Sequence, residues 1–261
     1  MPDAFEQTFR KALVTPGAKN AFLSKHLNVW VNADVAWMDM TRWYAGGDSA
    51  LCEEDFLGER CWLGLDIASK IDITALVKVF RREIDGATHF YLFMNTWLPE
   101  QTIQTSSNSQ YRAWAEQGFI CQTPGARTDY AAIEAEIDRA NENFAVVSLA
   151  FDPWQGGMIS SRCEEKGIAT IEVGQGTKSM SDPSKELDAL VRDGRLHHNN
   201  NPVLTWMVNN VVCHVDLNEN IKPNKPANSL QKIDGAIAGI MALKCALADP
   251  GPVSSFAPFI I

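Results

Sequence analysis

A chain of 261 residues is long enough for one large domain, or for one domain with an appended segment. With 46% hydrophobic and 21% charged residues it has the composition of an ordinary globule, and its longest apolar stretch near the C-terminus, 236–243, is cut short by Lys244, which excludes a bilayer span there. The net charge of −9 excludes strong binding to a polyanion through overall charge, because phosphate affinity rests on Lys and Arg.

At the N-terminus, Asp3, Glu6 and Arg10 interrupt any apolar run, so no signal peptide is expected and a helix is predicted over 2–14. Residues 1–57, with Trp30, Trp37 and Trp43 and the turn Tyr44-Ala45-Gly46-Gly47-Asp48, show no strand alternation and are read as a helical lead-in or linker. From Cys61 the pattern changes. An apolar run ends at Asp66, and runs over 73–80 and 90–97 are rich in β-branched and aromatic residues. Asp85-Gly86 between the last two is a hairpin turn, which makes a three-stranded antiparallel meander. A helical patch over 110–117, a short strand near Ile120, the turn Pro124-Gly125 and a helix over 130–141 follow. Next come a strand ending at Asp152, a helix over 157–166, a strand over 168–173 and a helix over 183–192 that opens on Ser181-Asp182-Pro183. Strand and helix in alternation imply parallel crossovers. A meander feeding β-α-β units and closed by a small-residue helix from about Ile233 is an α/β, ribonuclease H-like order: a mixed sheet, antiparallel meander plus parallel strands, flanked by helices. It is expected to occupy 58–250, with 251–261 as a tail.

Three aspartates fall at telling places in this order. Asp66 and Asp152 each end an apolar strand, and Asp234 opens the closing helix. Taken singly, each is what a turn or a helix cap uses. Brought together by the fold, such carboxylates repel one another unless hard cations sit between them, and Mg²⁺ or Mn²⁺, one or two ions, prefers such oxygen ligands. A pair of ions can clamp both sides of an in-line phosphoryl displacement, so the trio points to a metal-dependent nuclease. Asp72, six residues after Asp66, is either an auxiliary fourth carboxylate or the start of the next strand. Lys70 is a lesser phosphate-contact candidate. The polar segment 215–231 is rich in Asn and Pro and, with Lys232 just beyond it, carries Lys222, Lys225 and Lys232 ahead of Asp234. It reads equally as a DNA-contacting flap and as a solvated hairpin. His197 and His198 are adjacent, so on a strand they point to opposite faces and do not share an ion. Trp154 is expected to pack beneath the site, with stacking on a base as the lesser alternative. Six dispersed cysteines without a C-x-x-C pair argue against a zinc site and for reduced thiols in a cytosol.

The wording of several segments is more specific. Gly64-Leu65-Asp66-Ile67-Ala68, Asp72-Ile73-Thr74-Ala75, Tyr111-Arg112-Ala113-Trp114, Thr123-Pro124-Gly125 and Phe151-Asp152-Pro153-Trp154 resemble the large terminase subunits of tailed bacteriophages, over roughly 20–247. So do Gln175-Gly176 followed by Met180-Ser181, Asn201-Pro202-Val203-Leu204 and Lys232-Ile233-Asp234-Gly235. The resemblance implies the nuclease half of a packaging motor that cuts concatemeric double-stranded DNA in the host-cell cytoplasm, with Asp66, Asp152 and Asp234 as the metal-binding trio. It also implies partners: the terminase ATPase domain, the small subunit and the portal, with no membrane. The chain has no G-x-x-x-x-G-K-S/T phosphate loop, so an excised nuclease half or a truncated gene is expected, without translocation of its own. Two other classes share features with this reading. A Holliday-junction resolvase or transposase-like enzyme would use the same trio on a more basic surface. A non-catalytic assembly module would use the carboxylates only as caps.

Overall fold

The computed structural model describes residues 5–10, 35–67, 72–154, 157–216, 218–226 and 231–251. Residues 5–10 are helical, within the helix expected over 2–14. The chain then runs β1 (Val35–Ala36), α1 (Met40–Ala45), a 3-10 turn (Glu53–Phe56), β2 (Arg60–Asp66), β3 (Thr74–Ile84) and β4 (Ala87–Pro99). It continues through α2 (Glu100–Thr105), α3 (Gln110–Glu116), β5 (Cys121–Thr123), α4 (Tyr130–Asn143), β6 (Ala145–Phe151), α5 (Gly157–Glu165), β7 (Ala169–Glu172) and α6 (Thr177–Arg192). The last elements are β8 (Leu196–His198), α7 (Pro202–Asn209), β9 (Val212–Val215), β10 (Ile221–Asn224) and α8 (Asp234–Ala248).

Seven strands form one mixed sheet in the order β5-β4-β3-β2-β6-β7, with β8 also pairing with β4. The meander β2-β3-β4 is antiparallel, whereas β6 runs parallel to β2 and β7 parallel to β6. On the other side β8 and β5 both run parallel to β4, one after the other along its 13 residues. A second, three-stranded antiparallel sheet joins β1, β9 and β10. The meander turn is where the residues demand it: Ile84 pairs with Ala87, and Asp85 (φ 51°) and Gly86 (φ 79°) both take the left-handed conformation that a two-residue hairpin needs. The paired strands reach further than their apolar cores, because polar residues such as Arg81, Arg82 and Glu83 continue the ladder to the turn.

Helices cover both faces, which is why β2 and β3 are buried almost end to end and not alternating. Cys61, Leu63, Leu65, Leu76 and Phe80 pack against Ile133 and Ile137 of α4 and Ile159 of α5. Trp62, Ala75, Val77 and Val79 face α8, whose Ala238, Ile240, Met241 and Ala242 are buried. Gly64 is the contact point: a Cβ there would lie 2.0 Å from the Ala238 carbonyl oxygen and 2.9 Å from the Ala242 nitrogen, so only glycine lets α8 lie this close on β2. Trp37 and Trp43 join the α8 side of the core and Phe56 the other side.

One charge sits inside the sheet. Lys78 of β3 is fully buried, and its ammonium donates to Glu53 Oε1 and Oε2 (2.8 and 2.6 Å), Asn95 Oδ1 (2.8 Å) and Glu136 Oε1 (2.6 Å). Arg139 bridges the same two glutamates. Burial pushes Glu136 up, but hydrogen bonds and charge from Arg139 and Lys78 outweigh it and hold the carboxylate below its usual range.

The start of one helix differs from expectation. Helix α6 begins at Thr177, not at Pro183, which lies inside it. An internal proline deprives the carbonyl four residues back of its partner. Here Lys244 Nζ of α8 donates to the Ser179 carbonyl (3.2 Å) and fills that vacancy. Among the described residues no helix is long and apolar enough to cross a membrane, and all six cysteines are free.

Candidate metal centre

Parallel pairing fixes where two of the aspartates emerge. Leu65 of β2 pairs with Phe151 of β6, so Asp66 and Asp152, the next residue on each strand, leave the sheet side by side at its C-terminal edge. Strand β7 ends at the same edge, Phe151 pairing with Glu172, and the chain beyond it carries Gln175. Helix α8, seated on β2 through Gly64, brings Asp234 in its first turn over the same edge. Asp72, just before β3, completes the group. Together Asp66, Asp72, Asp152, Gln175 and Asp234 line an open basin of about 480 Å³, whose other walls include Trp154, Lys222, Lys225 and Lys232.

The electrostatics are those of crowded acids. Burial, then the facing Asp234 carboxylate, pushes Asp66 well above the ordinary carboxylate range; Asp152 and Asp72 add to the push, and a hydrogen bond from Gln175 opposes it. Burial and then Asp72 raise Asp234 to about 7, against the pull of its backbone amide, Lys232 and Lys225. Gln175 Nε2 donates to Asp66 Oδ1 (3.1 Å), and the Trp154 backbone amide donates to Asp152 Oδ1 (2.9 Å). Asp72 is engaged at both oxygens, by the Ile73 amide (2.9 Å) and by Lys232 Nζ (2.5 Å).

Among the described residues, no three His, Cys, Asp or Glu side chains converge tightly enough to form a coordination shell as they stand. The carboxylates line one wall instead, held apart in the sense that like charges dictate. The donor set nevertheless fits a hard divalent cation: it is all oxygen, it is short of neutralising charge, and its members raise one another's pKa. Asp66, Asp152 and Asp234 are the residues that could hold such an ion, with Asp72 beside them but already paired.

Lys222 and Lys225 lie on and just after β10, on a hairpin edge that faces the aspartates, and neither is ion-paired with another described residue. Lys232 is committed to Asp72. Lys70 lies outside the described residues. His198 is buried against Trp43, and His197 meets His89 at 2.8 Å, so the two histidines do point to different neighbours. His214 is exposed on β9 and does not line the basin. Trp154 does not pack beneath the site: it is 91% exposed on the rim, because the Asp152-bound turn directs the chain outward. Gln175 is a site residue that the sequence pattern does not mark as one. The signal that could find it is its place just past a third parallel strand ending at the same edge.

Comparison with known proteins agrees with this architecture. Residues 3–249 match the family model described as terminase large subunit, endonuclease domain. Protein YmfN of Escherichia coli (strain K12) is 34% identical over 233 residues, 86% of this chain and 51% of that protein. The terminase large subunit of Enterobacteria phage HK97 is 29% identical over 241 residues, 90% of this chain and 46% of that protein. The crystal structure of the HK97 large terminase superposes with a TM-score of 0.70 at 27% identity, over 92% of this chain and 49% of that one. The large terminase of the thermophilic bacteriophage D6E shares the fold, with a TM-score of 0.53 at 14% identity, over 87% of this chain and 49% of that one. The chain therefore spans about half the length of these relatives. It belongs to the terminase large subunit endonuclease-domain family.

Proposed function

We propose that the chain is a divalent-cation-dependent endonuclease that cuts double-stranded viral DNA during genome packaging. The observation that carries this reading is the convergence of Asp66, Asp152 and Asp234 from two neighbouring parallel strands and a helix start on one basin. Bound there, one or two Mg²⁺ or Mn²⁺ ions would supply Lewis acidity, making water a usable nucleophile near neutral pH and offsetting charge on the leaving 3′ oxygen. The protein's own groups do the rest. The three carboxylates would hold the cation, Gln175 fixes the orientation of Asp66, and Lys232 keeps Asp72 in place beside it. Lys222 and Lys225, which line the same basin, draw a phosphodiester toward the carboxylates. Packaging partners follow from the family: an ATPase domain, a small subunit and a portal, met in the host-cell cytoplasm.

The test is cleavage of plasmid and linear duplex DNA by the purified chain with Mg²⁺ or Mn²⁺. Asp66→Asn, Asp152→Asn and Asp234→Asn should each abolish cleavage while the fold survives, since each removes a ligand but also relieves repulsion among acids. Divalent cation should raise the melting temperature of wild type more than that of the variants, by linkage of binding to folding. Cleavage that survives in all three variants would sink the assignment. A preference for four-way junctions over linear duplex would instead favour a resolvase.

A further inference from the structure

Of the seven tryptophans among the described residues, six are buried or half-buried and one, Trp154, is 91% exposed. A chain that hides its other indoles in the core gains nothing in folding from leaving this one in water, because burial of such a surface is favourable. Its backbone is nonetheless fixed at a defined place. Pro153 restricts the chain before it, and the Trp154 amide is bound to Asp152 Oδ1 at 2.9 Å, so the side chain is rooted one short turn from a candidate cation ligand. Lys222 and Lys225 line the same basin as Trp154 and the aspartates. Its lining is thus chemically mixed: ammonium groups, an exposed aromatic ring and carboxylates.

We infer that Trp154 is a DNA-contacting residue that stacks on a nucleobase displaced from the duplex beside the cut, while Lys222 and Lys225 take the phosphates. This rests on the endonuclease reading above and adds to it the residue that grips the substrate without charge. Such a grip matters for a chain of net charge −9, in which the attraction available from lysines is small. Stacking of a base on an aromatic side chain contributes about 1–3 kcal/mol, tolerates any sequence, and releases no counterions. Lysine contacts do release them. The two kinds of contact can therefore be told apart by salt.

The experiment uses the full chain with Ca²⁺ in place of Mg²⁺, a fluorescent duplex with one unpaired 2-aminopurine at its centre, which costs little to unstack, and salt varied from about 50 to about 200 mM. Trp154→Ala should weaken binding roughly 5- to 150-fold at every salt concentration, leave the logarithmic salt slope unchanged, and abolish the quenching of 2-aminopurine that stacking produces. Trp154→Phe should keep the quenching and most of the affinity. Because the side chain is exposed, both variants should fold as wild type does, which circular dichroism checks. Cleavage with Mg²⁺ by the wild-type chain, together with unchanged affinity and quenching in Trp154→Ala, would overturn the stacking role and leave the endonuclease reading standing. An altered salt slope would also overturn it, by showing that the position acts through phosphates. A wild-type chain that neither binds nor cuts DNA would overturn both.

Discussion

Asp66 and Asp152 are legible in the sequence because a polar residue that ends an apolar strand marks the strand's end and its edge together. Gln175 and the outward turn of Trp154 are not, since both depend on which strands become neighbours and on one hydrogen bond to an aspartate. His198 shows how local chemistry settles a reading once partners are known. Its Nε2 meets the Trp43 carbonyl at 2.9 Å, its Nδ1 accepts from the Asn200 amide at 3.2 Å, and its ring stacks on Trp43. Those partners require the neutral imidazole. Burial lowers its pKa, the Trp43 carbonyl opposes this, and neighbouring His197 adds to the lowering. With the folded value below the unfolded value of about 6.5, the unfolded chain binds more protons, so this contribution is present above that pH and lost as pH falls through the folded value. Urea midpoints measured from about pH 7.5 down to about pH 5 should therefore fall more steeply in wild type than in His198→Asn. Asp66 and Asp234, whose values are raised, act in the opposite sense in both proteins, so the difference between the two curves isolates the histidine. Identical curves would show that His198 is not held neutral.

At the level of elements, what can be read is what local pattern controls: the Asp85-Gly86 turn, the long meander strands and the alternation of strand and helix after Tyr130. Strands β1, β8, β9 and β10, two to four residues long, are not readable, because their pairing is decided by partners distant in sequence. The start of α6 eludes local pattern for a related reason: a lysine from another helix compensates the proline that signals a beginning. The seat of α8 on β2 is the contact on which the centre's geometry depends, since Asp234 rides on that helix and Asp66 on that strand. Gly64→Ala would press a methyl group into the Ala238 carbonyl, and overpacking of this kind destabilises by about 1–3 kcal/mol. The expected result is a lower denaturant midpoint together with a loss of cleavage larger than the unfolded fraction explains. Lost stability with full specific activity would show that the separation of the two carboxylates tolerates movement of the helix.

For the whole molecule, charge is the governing quantity. An acidic chain should hold duplex DNA only weakly, in the range of roughly 10⁻⁴ to 10⁻⁶ M at physiological salt. The residues that oppose this cluster at the hairpin carrying β10. Replacing Lys222 and Lys225 together with Ala should weaken binding equally across sequences and reduce the salt slope by about 0.9 for each phosphate no longer neutralised. Fluorescence anisotropy at several salt concentrations measures both, and an unchanged slope would leave the segment as a solvated hairpin. The buried ammonium of Lys78 has a consequence of a different kind, for how this sequence can drift. Glu53 comes from the turn before the sheet, Lys78 and Asn95 from its middle, and Glu136 and Arg139 from a helix behind it. Removing the buried Lys78 ammonium alone strands Glu53 and Glu136 and destabilises by about 3–5 kcal/mol, whereas exchanging the whole set for apolar groups can be neutral. Intermediate sequences are therefore closed to selection while both ends of the path are open, and these positions should be inherited as a block across relatives, covarying even where no ligand or substrate ever reaches them.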